Sequence, residues 1–193
     1  MKSICVFCGS SMGSDPDFEK TAGELGKKLA EAGINLVYGG AKVGLMGVLA
    51  DGCAKAGGKV IGVIPKFLDK LEITNSDVDE LYETNSMHER KMKMSELAEG
   101  FIAIPGGFGT MDELCEILTW AQLGLVKHPI GLLNVNGYFD HLIELFKHMN
   151  QSGLVKDKHL ELLIVDTEID SLLDKMSEFE ADESGFKEKL NLT

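Results

Sequence analysis

The stretch FIAIPGGFGTMDELCEILTWAQL, residues 101–123, decides the fold. Phe101–Ile104 is a short apolar run that reads as a buried strand. Pro105 follows, and Gly106, Gly107 and Gly109 open a turn. A helix is predicted from Thr110 to about Leu123, with Leu114, Ile117, Leu118, Trp120, Ala121 and Leu123 giving it an apolar surface wider than one stripe. A strand that passes through a glycine turn into a helix is the repeating unit of a parallel α/β sheet.

The same unit recurs on both sides. Toward the N-terminus, Ile4–Cys8 reads as a strand running into Gly9-Ser10-Ser11. Ser14 or Asp15 can cap a helix with Pro16 in its first turn, and Gly33 stops it. Ile34–Tyr38 is a second strand, about Gly44–Ala56 a helix, and Lys59–Ile64 a third strand that stops at Pro65. Residues 66–85, including Glu72, lack regular spacing and read as a charged loop. Ser86-x-x-Glu89 then forms a capping box for a helix to about Glu99. Beyond residue 123, Pro129–Asn134 is a strand and about Tyr138–Asn150 a helix. A short helix near 156–162, a strand at Leu163–Val165 and a helix at 168–180 complete the pattern. Nearly unbroken apolar strands between amphipathic helices predict a Rossmann-like, doubly wound parallel sheet with helices on both faces. The expected organisation is one domain over residues 1–180 and a charged, frayed tail over 181–193.

In such sheets the ligand lies at the carboxyl ends of the strands, where the strand order reverses. With the first three strands and the Phe101 strand in the order 3-2-1-4, Gly9-Ser10-Ser11 faces Pro105–Thr110 across the crevice. Glycines admit close approach of an anion to backbone N–H groups, and the following helix offers unpaired donors and the positive end of its dipole. The bland alternative is a tight turn and nothing more. No G-x-x-x-x-G-K-[ST] is present, so a P-loop NTPase is excluded. Nor does an acidic residue follow Tyr38-Gly39-Gly40 to grip a ribose, which disfavours a dinucleotide enzyme.

Arg90 falls in the first turns of the Ser86 helix beside Lys91, and Glu113 in the first turn of the Thr110 helix. A carboxylate near a ribosyl carbon stabilises or attacks the oxocarbenium that forms as a C–N bond breaks, and a guanidinium holds the geometry. Thr110-x-x-Glu113 is equally a capping box in which Glu113 only satisfies a backbone donor. Spacing leaves those two readings level, and alone it favours a solvated helix face for Arg90 and Lys91. Cys5 and Cys8, three apart on a strand, point to opposite faces and read as buried thiols. The five histidines show no metal-ligand spacing, and Met87, Met92 and Met94 read as core fillers.

Acidic residues number 31 against 19 basic ones, a net charge of −12 across 193 residues. That balance repels polynucleotides and anionic membranes. No apolar run approaches the ~18–20 residues that span a bilayer, and no secretory signal is visible, so the cytoplasm is the expected location.

Taken together, Met87-His88-Glu89-Arg90-Lys91 and Pro105–Glu113 resemble the signature of the Lonely guy (LOG) family of cytokinin riboside 5′-monophosphate phosphoribohydrolases. Cys8–Ser11, Val37–Gly40, Gly44–Gly47 and Thr119–Gly124 support the resemblance, which covers roughly residues 3–166. It implies a homodimeric hydrolase without metal or cofactor that splits AMP, or its N6-prenylated form, into free base and ribose 5-phosphate. By the same analogy Arg90 and Glu113 are catalytic. Glu72, Lys91, Gly107, Phe108, Gly109, Thr110, Met111, Asp112 and Thr119 would contact the nucleotide, beside Gly9 and Ser10 of the facing loop. Ala41 departs from the family, which usually has a third glycine there. Two other readings are a broader purine or pyrimidine nucleotide nucleosidase and a non-catalytic carrier, since related folds include molybdenum-cofactor carriers. Relatives are often labelled lysine decarboxylases, but no residue pattern here argues for a pyridoxal phosphate site.

Overall fold

The computed structural model describes residues 1–69 and 74–180. Seven strands form one parallel sheet: β1 (Ser3–Phe7), β2 (Asn35–Tyr38), β3 (Val60–Pro65), β4 (Glu80–Thr84), β5 (Phe101–Ala103), β6 (Ile130–Leu133) and β7 (Leu163–Asp166). Their spatial order is β4-β3-β2-β1-β5-β6-β7. The helices are α1 (Pro16–Glu31), α2 (Gly44–Lys55), α3 (Lys66–Asp69), α4 (Met87–Leu97), α5 (Phe108–Gln122), α6 (Asp140–Gln151), α7 (Asp157–Leu160) and α8 (Ile169–Ser177). None is long and apolar enough to cross a membrane among the described residues.

Alternation along the buried strands divides the core in two. Ile4, Val6, Leu36 and Ile102 pack on Leu25 and Leu29 of α1, Leu49 of α2 and Leu172 of α8. Cys5, Phe7, Val37 and Phe101 face the other way, onto Met94 of α4 and Leu114 and Ile117 of α5. Each fully buried leucine contributes ~1.5–3 kcal/mol from water exclusion. Cys5 lies in one layer and Cys8 in the other, as strand geometry predicts. Burial pushes both thiols up, with the nearby Glu113 adding to it.

Chain punctuation accounts for the ends of the site-bearing helices. Asp15 accepts from the Asp17 N–H at 3.0 Å and Pro16 follows at the first helical position, so Asp15 rather than Ser14 caps α1. Ser86 caps α4 by accepting from the Glu89 N–H at 3.1 Å. The return half of that box slips by one residue, because Glu89 accepts from the Asn85 N–H at 2.7 Å instead of from Ser86.

Three expectations need correction. Residues 66–85 are not wholly loop: they contain α3 and the edge strand β4, which pairs in parallel with β3. Half-exposed Glu80-Leu-Tyr-Glu-Thr84 lacks the apolar continuity that marks the inner strands. The helix expected from Tyr138 starts at Asp140, after a 3-10 turn over Val135–Gly137. Asn136 and Gly137 there adopt left-handed φ of 49° and 72°, which stops an α-helix from beginning sooner. Finally, only Met94 is a core filler; Met87 and Met92 are 37% and 51% exposed.

Candidate active site

Because β1 pairs with both β2 and β5, the sheet reverses its winding there. Their carboxyl-end loops, Gly9–Gly13 and Pro105–Gly107, line one cavity of about 250 Å³ with Phe18, Leu45 and Tyr138. The Gly9 N–H donates to the Pro105 carbonyl at 3.1 Å, so Gly9 fastens the two loops together and does not offer that donor to a ligand. A side chain at Gly106 would collide with the Thr110 hydroxyl, which explains the glycine. Ser10 is exposed on this rim.

The helix after the glycine turn begins earlier than its sequence suggests. Gly107 is the N-cap of α5 and supplies no side-chain hydrogen bond. The first N–H to be satisfied is that of Met111, by the Gly107 carbonyl at 3.2 Å. Among the described residues, the preceding donors of Phe108, Gly109 and Thr110 have no partner. The early start also moves Thr110 inside the first turn, where it cannot act as a cap. Its hydroxyl is buried without a hydrogen-bond partner. Glu113 therefore has no capping role, and the choice that spacing left level is resolved against the capping box.

Glu113 turns instead toward α4. Arg90 Nη1 donates to Glu113 Oε1 at 2.7 Å, with both side chains 9% exposed. Two more Arg90 donors go to backbone: Nε to the Val63 carbonyl at 3.0 Å and Nη2 to the Gly39 carbonyl at 3.4 Å. Those carbonyls lie in the second half of β3 and just past the end of β2, so the sheet fixes the guanidinium and the guanidinium fixes the carboxylate. A side chain at Gly39 would strike Arg90 Nη2. Burial raises the Glu113 pKa above its ordinary value, although Arg90 pulls the other way. Among the described residues the one hydrogen bond to the Glu113 carboxylate goes to Oε1, from Arg90. Its immediate recess, shared with Lys91, Glu116 and Trp120, is only about 10 Å³.

Lys91 Nζ lies 3.0 Å from Asp112 Oδ2 and 3.1 Å from Glu116 Oε1. Burial alone would lower its pKa; the two carboxylates more than offset this and raise it. Lys91 thus ties α4 to α5 beside the central pair. Phe108, next in the chain to cavity-lining Gly107, is 96% exposed. Met111 packs against the core instead of facing the cleft.

Thr119 is not brought to this site within the chain. Six residues separate it from Glu113, which at ~100° per residue puts it on another face of α5. Its hydroxyl donates to the Cys115 carbonyl at 2.7 Å. It lines a separate apolar groove of about 350 Å³ with Leu118, Ile143, Phe146 and Leu163. Glu72 lies outside the described residues. Ala41 needs no glycine, because its φ is not left-handed and its backbone bridges to Thr74. Sequence reasoning missed Phe18, Leu45 and Tyr138 as cavity residues: Phe18 and Tyr138 carry no motif, and Leu45 entered only within the Gly44–Gly47 stretch of the family resemblance.

Residues 46–176 match the family described as "Possible lysine decarboxylase". The cytokinin riboside 5′-monophosphate phosphoribohydrolase LOG of Oryza sativa subsp. japonica is 43% identical over 178 residues, 92% of this chain and 74% of that protein. A cytokinin riboside 5′-monophosphate phosphoribohydrolase of Arabidopsis thaliana is 41% identical over 189 residues, 98% of this chain and 87% of its own. Among solved structures, the Moco carrier protein of Chlamydomonas reinhardtii superposes with a TM-score of 0.69 at 23% identity, covering 91% of this chain and 95% of that one. The molybdenum cofactor binding protein of Rippkaea orientalis gives 0.68 at 23% identity, covering 92% and 96%. At that identity the likeness shows a shared fold alone.

Proposed function

The chain belongs to the Lonely guy (LOG) family, and from that membership we infer that it hydrolyses the N-glycosidic bond of a nucleoside 5′-monophosphate. The observation that carries the reading is the buried Arg90–Glu113 pair, one carboxylate oxygen held and the other without a hydrogen bond among the described residues. We propose an adenine-type substrate, AMP or its N6-prenylated form.

The uncapped first turn of α5 and the Thr110 hydroxyl receive the 5′-phosphate, with Ser10 on the facing rim. Glu113 lies one helical turn, ~5.4 Å, beyond Gly109, a span that ribose bridges. As the C1′–N bond breaks, its electron pair goes to the base nitrogen and positive charge develops on the sugar. The Glu113 carboxylate stabilises that charge or attacks C1′. Water supplies the hydroxyl that ends on C1′ and the proton that ends on the base, giving free base and ribose 5-phosphate. Arg90 keeps the carboxylate oriented and in its ionised form.

A homodimer is part of the proposal. Thr119, implied by the family resemblance to contact the nucleotide, faces an apolar groove away from its own Glu113. A second copy seated on that groove can offer Thr119 to a neighbouring site. Exposed Leu123 and Leu125 at the end of α5 favour such a contact. The proposed setting is the cytoplasm, acting on free nucleotides.

Incubating the protein with AMP, GMP, CMP and prenyl-AMP and assaying free base tests the activity. Release of adenine with stoichiometric ribose 5-phosphate is expected; no release from any of the four overturns the reading. Light scattering at twice the chain mass is expected for the dimer.

A further inference from the structure

We propose that Tyr138 is a positioning residue for phosphate recognition, acting by holding the Gly106–Gly107 peptide in the conformation that the anion requires. The proposal rests on the function inferred above and adds a third loop, that between β6 and α6, to the two glycine loops of the cleft.

A turn of glycines binds an anion only if its carbonyl oxygens are kept out of the way, because each carries negative partial charge. Free rotation of a glycine peptide would expose N–H or C=O with little preference. Both carbonyls of this turn are tied back. The Pro105 carbonyl accepts from the Gly9 N–H at 3.1 Å. The Gly106 carbonyl accepts from the Tyr138 hydroxyl at 2.6 Å, across 32 residues of sequence. A trans peptide sets N–H and C=O on opposite sides, so anchoring the Gly106 oxygen directs the Gly107 N–H away from Tyr138.

The tyrosine is itself held. Its ring meets Phe18 edge-on at 5.3 Å and Phe139 at 4.9 Å. Phe139 is 1% exposed, and its N–H donates to Asn134 Oδ1 at 2.7 Å. Two residues earlier, Asn136 stands in the left-handed region, where a non-glycine residue is uncommon. Its Nδ2 donates to Asp15 Oδ2 at 3.1 Å and Asp17 Oδ2 at 2.8 Å. The loop is therefore stapled to the start of α1 on one side and to the glycine turn on the other. Tyr138 lines the same cavity as both loops. Among the described residues its hydroxyl has one hydrogen bond, the one to the Gly106 carbonyl.

Tyr138→Phe keeps the ring packing and removes only the hydroxyl. Calorimetric binding of AMP and of adenosine, which lacks the phosphate, is the test. The expected result is AMP affinity about five- to tenfold weaker in the variant, adenosine affinity unchanged and Tm lowered by no more than about 4 °C, in keeping with one lost hydrogen bond. In turnover the same variant raises KM for AMP with kcat within twofold. Asn136→Gly retains the left-handed backbone without strain and loses only the staple, and it shifts AMP binding in the same direction by a smaller factor. Equal weakening of AMP and adenosine, or no weakening of AMP, overturns the proposal. A wild-type protein that binds AMP no more tightly than adenosine overturns it too. Wild-type protein that binds AMP and shows the Tyr138→Phe effect but releases no base supports this inference while removing the hydrolase reading.

Discussion

The Arg90 guanidinium and the Glu113 carboxylate, carried by different helices, meet at 2.7 Å beneath the reversal point of the sheet. Neither helix would place its residue there alone. α4 delivers Arg90 because β4 and the Ser86 cap set its entry, and α5 delivers Glu113 because its first turn begins at Phe108. A buried pair of this kind is weak evidence for stability, since desolvation offsets much of the attraction. Its placement beside a cluster of uncapped N–H groups is better explained by chemistry.

Glu113→Gln is therefore expected to separate activity from stability. Glutamine fills the same space and still accepts from Arg90, but it cannot stabilise developing positive charge. A fall in kcat of about 10²–10³-fold follows from losing such an electrostatic group. Because burial raises the Glu113 pKa despite Arg90, ionised Glu113 costs the fold stability at neutral pH. The substitution relieves that cost but leaves the buried Arg90 charge without its counter-charge, an opposing loss, so the variant should remain folded in thermal unfolding at pH 7. Full AMP turnover by the variant would remove Glu113 from the chemistry.

The same shift sets the acid limb of the pH profile. The proposed mechanism requires the ionised carboxylate, so kcat/KM is expected to fall as pH drops through the folded-state pKa, which lies above the ordinary glutamate value of ~4.3. For stability the sign is reversed: the contribution is fully present below the unfolded pKa and is lost as pH rises through the raised folded one. Arg90→Gln removes the cation that opposes desolvation and should move the acid limb to still higher pH. A limb at or below the ordinary value, unmoved by that substitution, would detach it from Glu113.

Away from the cleft, Asp166 ends β7 and accepts from the Thr167 and Glu168 N–H groups at 2.7 and 3.0 Å, and from Lys175 at 2.7 Å. These bonds and one from the Ser171 hydroxyl, with Lys175 and Ser171 foremost, hold its pKa well below the usual carboxylate range. A lowered carboxylate contributes stability above its unfolded pKa of ~3.9 and loses it as pH falls below that. Asp166→Asn should cost about 1–2 kcal/mol at pH 7, measured by urea unfolding, and the gap should close toward pH 2. A gap that persists there would point to packing instead of charge.

How far the sequence carries the reading depends on whether a residue's role is local. Inner strands were legible because burial on both faces leaves unbroken apolar runs such as Val60–Ile64. The glycine turn and the α5 helix were legible for the same local reason. β4 was not, since an edge strand shows water one side and alternates as a polar loop does. Spacing could not join Arg90 to Glu113, 23 residues apart, nor decide between capping and chemistry; the structure removes the capping role by starting α5 two residues early. Tyr138 was invisible as a site residue because its partner Gly106 is 32 residues distant. Only folding brings that carbonyl to it.

Gly39 offers the sharpest test of how the pair is held. A methyl group there would occupy the space of Arg90 Nη2 and lie 2.8 Å from Met46 Sδ. Arg90 is also fixed by Val63 and Glu113, so Gly39→Ala must drive the guanidinium off at least one partner. A displacement near 1 Å can cost about 10²-fold in rate, and the expected loss falls on kcat, with the acid limb shifting as the cation moves away from Glu113. Gly109→Ala is the contrast, because no atom lies within 4 Å of a side chain at that position. It should leave the fold and the pH profile alone and raise KM for AMP, since only an approaching phosphate would meet the new methyl. If both variants alter kcat and pH profile alike, the guanidinium is not what Gly39 makes room for.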